Sequence, residues 1–254
     1  MLAIFCLRLA CGMAGALLIV PPREANPRFF RVQFLAVLGL TAAAAFVARL
    51  AIDSLMWIAL GGTMLGAFLG SVVWSLEGAP LGRILLIITT FGAVLGLLLA
   101  PLEVRDLSPE RSPERPWLAA DDLTAAALLG AATTAMLMGH SYLIAPAMSM
   151  TPLMRLLALL FGATMLRMLL AGAGLWFWTR EHSLANLQDE TVLWLPVRWG
   201  VGFVGPLVLG GMAFQTAKIR STQSATGILY VVVILCFLGE LTSQLLLRST
   251  GSIL

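Results

Sequence analysis

The chain has 254 residues, of which 59% are hydrophobic and 11% charged, with a formal net charge of +3. A soluble domain carries about 25% charged residues, so no soluble core could hide this much apolar surface, and lipid must be the solvent for much of it. The basic residues, fifteen Arg and one Lys, are spread between the hydrophobic runs without forming a stripe, which excludes a nucleic-acid footprint.

A hydrophobic stretch of about 20 residues spans a bilayer. Eight follow one another here: 2–20, 31–51, 55–75, 82–102, 123–146, 155–178, 197–217 and 226–247. None alternates with period two, which excludes a β-barrel. The pattern predicts an all-α membrane protein of about eight transmembrane helices with short connections. The first run is the weakest, because it is short and Arg8 interrupts it. Leu9-Ala10-Cys11 bears a faint likeness to a lipoprotein site, but Arg8 precedes it, and the segment reads as a retained first helix. Cys6, Cys11 and Cys236 all fall inside hydrophobic runs without a CxxC neighbour. They read as small buried hydrophobes, not as disulfides or zinc ligands.

In the third run Gly62, Gly66 and Gly70 stand four apart and line one helix face. Such a face lets another backbone approach closely. Residues 103–122 repeat Ser-Pro-Glu-Arg and are rich in proline and charge, as a solvated linker is. They divide a first four-helix bundle, 1–102, from a second, 123–254. At an offset of 124, Gly15, Pro22 and Arg31 align with Gly139, Pro146 and Arg155. At an offset of 140, Gly62, Gly66 and Gly70 align with Gly202, Pro206 and Gly210. The weaker pairing of Gly78 and Gly82 with Gln223 and Gly227 needs a further shift. These matches predict a tandem repeat, and four helices per copy make it a parallel one. Pro206 beside Gly205 predicts a kink in the seventh helix.

Ionisable groups inside a bilayer are functional candidates by default. Three stand out in the second half: His140, Arg167 and Glu240. Arg167 lies twelve residues into the sixth run and Glu240 fourteen into the eighth, and both helices start at one face. The rise of about 1.5 Å per residue puts the two charges at similar depth, roughly 18–21 Å from that face, and predicts an intramembrane ion pair. His140 is followed by Ser141 and Tyr142 near the end of the fifth run, at the same face from which the eighth helix starts, where Gln215 and Tyr230 also lie. An imidazole, phenols and an amide at one membrane boundary can hydrogen-bond a quinone carbonyl and move its proton. His182, between Arg180-Glu181 and Ser183, reads as solvated. With one histidine in the membrane, bis-His haem ligation is excluded, and no metal cluster, phosphate loop or hydrolase elbow is present in the sequence.

The odd-numbered loops hold Arg23, Arg28, Arg31, Arg83, Arg155, Lys218 and Arg220, against Glu24 and Glu77. That bias leans those loops toward the cytoplasm, with both termini outside, in what reads as a bacterial cytoplasmic membrane. Of the seven tryptophans, only Trp74 falls at the inner interface.

The two repeat halves, the missing haem histidines and the Gly139-His140-Ser141-Tyr142-Leu143 stretch together resemble the NrfD/DmsC type of eight-helix membrane anchor. The resemblance implies a subunit that exchanges electrons between quinone and an iron–sulfur partner outside the bilayer. It covers most of the chain in architecture and little of it in motif. The expectation is therefore a haem-free membrane subunit of a redox complex, with quinone and lipid as bound molecules and no covalent cofactor. A structural or assembly subunit and a small transporter are the alternatives.

Overall fold

The computed structural model describes residues 1–49, 53–76, 81–105, 107–108, 112–145, 147–181 and 189–254. Glu77, Gly78, Pro146 and His182 lie outside the described residues, as do the acidic linker residues Asp106 and Glu110. Every regular element among the described residues is helical. In chain order these are α1 (Leu2–Leu17), α2 (Pro27–Ala48), α3 (Ser54–Val73), α4 (Gly82–Leu98), the short α5 (Leu102–Arg105), α6 (Arg115–Ile144), α7 (Thr151–Glu181) and α8 (Asp189–Trp199). A π-helical turn, Gly200–Val204, then runs into α9 (Gly205–Lys218), and α10 (Thr222–Thr250) ends the chain.

Six spans are long and apolar enough to cross a membrane: Pro27–Ala48, Ser54–Val73, Arg115–Ile144, Thr151–Arg180, Leu193–Lys218 and Thr222–Thr250. Leu2–Leu17 and Gly82–Leu98 are apolar but shorter. The solvent that suits this surface is lipid, because the usual partition is inverted. Ile58 is 71% exposed and Phe91 68%, whereas Arg167 and Glu240 are fully buried. Helices are the form the sequence takes because hydrocarbon satisfies no backbone polar group, so each segment must close its own hydrogen bonds. The ends are closed by local chemistry. Asn26 caps α2 by accepting from the Arg28 amide, with Pro27 in the first turn, and Asp53 caps α3 by accepting from the Met56 amide. Gly251, at φ 69°, terminates α10.

The seventh predicted helix is α8, the π turn and α9 in series. Pro206 has no N–H to bond the carbonyl one turn back, and the backbone widens into the π turn just before it. The helix thus changes its hydrogen-bonding pattern at the position where the sequence predicts a kink.

The odd and even crossings leave one face of the bundle with both termini, α5 and the start of α6, here called the terminal face. The opposite face carries the turns that precede α2, α4, α7 and α10. The first helix, weakest by hydropathy, is the most enclosed element: nearly every residue of α1 is buried, Arg8 included. It packs along α2 and α4 on one side and along α6 on the other. The α1–α6 crossing is made by glycine. A Cβ built on Gly12 would lie 1.7 Å from the Ala126 carbonyl oxygen, and one on Gly130 would lie 1.9 Å from the Gly12 carbonyl carbon. A second crossing, between the π turn and α10, pairs Gly202 with Gly239, whose Cβ would lie 2.4 Å from the Gly202 Cα. Within the predicted glycine series, Gly66 faces Thr89 of α4 and Gly70 faces the Phe34 ring of α2, but Gly62 has nothing within 4 Å. Two of the three thus serve close packing inside the chain, and the third opens onto space. Trp74, expected as an interface residue, is buried and stacks on Phe30 at 4.1 Å between ring centroids.

The linker read over 103–122 is shorter in the structure. The α6 helix begins at Arg115, so Asp121 and Asp122 stand on its second turn and are buried at 1% and 0% exposure. Two adjacent carboxylates lower the local hydropathy enough to hide a helix start, and here they point into protein instead of water.

Candidate functional site

Seven charged side chains meet inside the bundle near the terminal face. They come from six helices: Arg8 on α1, Arg105 on α5, Asp121 and Asp122 on α6, Arg167 on α7, Arg198 on α8 and Glu240 on α10. None is more than 6% exposed. By the helical rise, Arg8 and Asp122 lie about 9–11 Å below the terminal-face ends of their helices, Glu240 about 15 Å and Arg167 about 21 Å.

The Arg8 guanidinium is the hub. It donates to Asp122 Oδ1 from Nε at 2.9 Å and from Nη2 at 2.8 Å. It also donates to Asp121 Oδ2 and to Glu240 Oε1. Arg167 reaches Glu240 through Nη2, at 3.0 Å to Oε2 and 3.2 Å to Oε1, and pairs with Asp121 through Nη1. The same side chain donates to the Asp121 carbonyl at 2.9 Å, to Thr124 Oγ1 at 3.2 Å and to Ser243 Oγ at 3.2 Å. Arg105 closes the edge nearest the terminal face. Its Nη1 meets Asp122 Oδ1 at 2.8 Å, and Nε and Nη2 donate to the carbonyls of Ala100 and Leu97, each at 3.2 Å. The planar, forked guanidinium suits this use because it serves several acceptors at once without losing its proton.

The Arg167–Glu240 pair predicted from depth is thus present as one edge of a larger network. Arg8, Arg105, Asp121, Asp122 and Arg198 were missed. Arg8 reads in the sequence as an interruption of an apolar run, although a charge in such a run is itself the signal of a buried partner. The two aspartates were assigned to solvent.

The network ties α1 and α5 to α6, α7, α8 and α10, so it joins the first helix of the chain to the last. Buried pairs gain little net stability over apolar contacts, yet removing one partner costs about 3–5 kcal/mol because a charge is left uncompensated. The arrangement is therefore suited to fixing how six helices dock.

The predicted quinone group at the opposite face does not assemble as expected. Residues two apart on a helix point to opposite sides, and this separates His140 from Tyr142. Tyr142 is fully buried, and its hydroxyl donates to the Ser149 carbonyl. His140 is exposed and turns toward α2. Gln215 and Tyr230 sit on exposed faces of α9 and α10, with Tyr230 46% exposed.

His140 does line a cavity of about 200 Å³ between α2 and α6. Its walls are Phe29, Val32, Leu137 and Ile144, with Asn26, Arg28, Gln33 and Ser141 as the polar residues. Gln33 is fully buried, and neither its Oε1 nor its Nε2 has a hydrogen-bond partner. An amide held this way in an apolar wall costs free energy unless something in the cavity bonds it. Among the described residues, no group of His, Cys, Asp and Glu is placed to hold a metal ion. The three cysteines are buried and free.

Comparison with family models, curated proteins and solved structures finds no match to this chain.

Proposed function

We propose that the chain is a haem-free subunit of a larger membrane redox assembly in a bacterial cytoplasmic membrane. In this reading eight helices form two four-helix groups related as a tandem repeat, and a quinone headgroup enters the α2–α6 cavity. The observation that carries it is the Gln33 amide, unpartnered and buried in the wall of a cavity that His140 also lines. A quinone ring is flat and apolar and presents carbonyl acceptors. The Gln33 Nε2 can donate to one carbonyl, and His140 at the mouth can donate to or take a proton from the other. Phe29, Val32, Leu137 and Ile144 supply the apolar surface against the ring. The reduction itself belongs to the partner subunits that this reading requires.

The test is purification in mild detergent with mass spectrometry of bound proteins and quinones. Co-purified redox subunits and retained quinone are expected. Gln33→Leu is expected to lower quinone retention about three- to tenfold, the range set by one lost hydrogen bond. The same variant should melt no lower than wild type without quinone, since it removes an unsatisfied buried amide. A wild-type protein that carries neither quinone nor redox subunits would sink the proposal.

A scaffold role is the second reading, favoured by the charged network, which joins six helices and is buried from solvent. Transport is disfavoured by the layer between the two polar regions. Along α6 the residues from Ala125 to Met138 that face inward are mostly Ala and Leu.

A further inference from the structure

The network is unbalanced. Among the described residues, four guanidiniums (Arg8, Arg105, Arg167 and Arg198) face three carboxylates (Asp121, Asp122 and Glu240). Guanidinium does not deprotonate in proteins, so the imbalance cannot be relieved by losing a proton. Protonating a carboxylate would only enlarge it. An uncompensated charge in an apolar interior is costly enough that a counter-charge is expected.

The geometry locates the surplus at Arg198. Each of the other three guanidiniums is within hydrogen-bond distance of a carboxylate. Arg198 is 4.0 Å from its nearest, Glu240 Oε2. It donates through Nη1 to the Gly239 carbonyl at 2.9 Å, and Nε and Nη2 have no partner although the side chain is fully buried. The Phe203 ring centroid lies 4.4 Å from the guanidinium carbon and offsets part of the charge. The backbone makes room for the group. Arg198 stands two residues before the π turn, and a Cβ at Gly202 would sit 3.7 Å from Arg198 Nη1. Single π turns recur at functional sites because they re-aim side chains and loosen the carbonyl ladder.

We propose that Arg198, held between the π turn and α10, binds a small monovalent inorganic anion of the chloride class. The Nε–H and Nη2–H of one guanidinium edge donate to it, and it supplies the negative charge that the network lacks. This site is separate from the α2–α6 cavity, which lies at the opposite face. A lipid headgroup is a poorer fit, because Arg198 is closed off from the surface.

The experiment is thermal unfolding of the full chain purified throughout in gluconate. Chloride is then raised at constant ionic strength, with gluconate making up the balance. The wild-type midpoint should rise saturably, by about 5–10 °C at a hundredfold excess over half-saturation. Arg198→Gln leaves three guanidiniums against three carboxylates. Its midpoint should not respond to chloride, and in gluconate it should equal or exceed that of wild type. A wild-type midpoint indifferent to chloride, or an equal rise in Arg198→Gln, would overturn the assignment. If that variant does not fold, bromide in wild-type crystals decides. An anomalous peak beside Arg198 supports the site, and its absence removes it.

Discussion

Glu240→Gln is expected to cost about 3–5 kcal/mol of stability, the range for breaking one member of a buried charge network. The substitution keeps the size and shape of the side chain, so packing does not account for the loss. What changes is the charge seen by three guanidiniums: Arg8 and Arg167, which Glu240 hydrogen-bonds, and Arg198 at 4.0 Å. Four buried cations would then face two carboxylates. Tryptophan fluorescence during heat or denaturant unfolding in detergent measures the cost. Raising ionic strength with gluconate should not rescue the variant, because buried pairs are little screened. Removing Arg198 as well should rescue part of the loss, because Glu240→Gln with Arg198→Gln brings the network closer to balance than Glu240→Gln alone. The interaction energy between the two sites is then nonzero, as contact within one network requires. A proton-carrying Glu240 would behave differently. The variant would stay as stable as wild type and lose only turnover.

Several levels of this architecture were legible in the amino-acid sequence, and they share a physical reason. Hydropathy reports what lipid accepts, so the eight apolar runs correspond to α1, α2, α3, α4, α6, α7, the α8–α9 series and α10, although α6 and α8 each start eight residues before their runs. Depth was legible too, since a fixed rise per residue placed Arg167 and Glu240 at one level. Hydropathy and depth carry no direction around the helix, and this is where the expected quinone group fails. His140 and Tyr142 are two residues apart, about 200° around the axis, and that spacing alone separates them. Gln33 could not be recognised, because a glutamine in an apolar run is informative only once the cavity beside it is known. Arg8, Asp121 and Asp122 gave the opposite error. Each lowers the apparent quality of a helix, and that hides it from a reading by hydropathy. In lipid such residues persist only where partners await them, so the charge that spoils a run marks the place where helices meet.

The glycine crossing of α1 with α6 shows how packing and the network depend on one another. Gly12→Ala is expected to lose most folded protein, although in an exposed helix the same change stabilises by about 1 kcal/mol. No rotamer choice helps, because the new Cβ itself would meet the Ala126 carbonyl oxygen at 1.7 Å and the Gly130 nitrogen at 2.9 Å. The helices must separate, and overpacking of this kind costs about 1–3 kcal/mol by itself. Separation also acts one turn away. Arg8 stands four residues before Gly12 on the same helix, and its contacts with Asp121 and Asp122 on α6 are set by the same crossing. Displacing α1 therefore strips two aspartates of their shared guanidinium and adds the cost of a broken buried network. Gly15→Ala is the control. A Cβ there meets nothing within 4 Å, so its midpoint should equal or exceed that of wild type. Size-exclusion profiles and melting midpoints in detergent separate the two variants. Combining Gly12→Ala with Arg8→Leu should cost less than the two single changes added, because each destroys the docking on which the other depends. Strict additivity would mean that the crossing and the charges hold α1 independently, and that the network does not depend on how closely the two backbones approach.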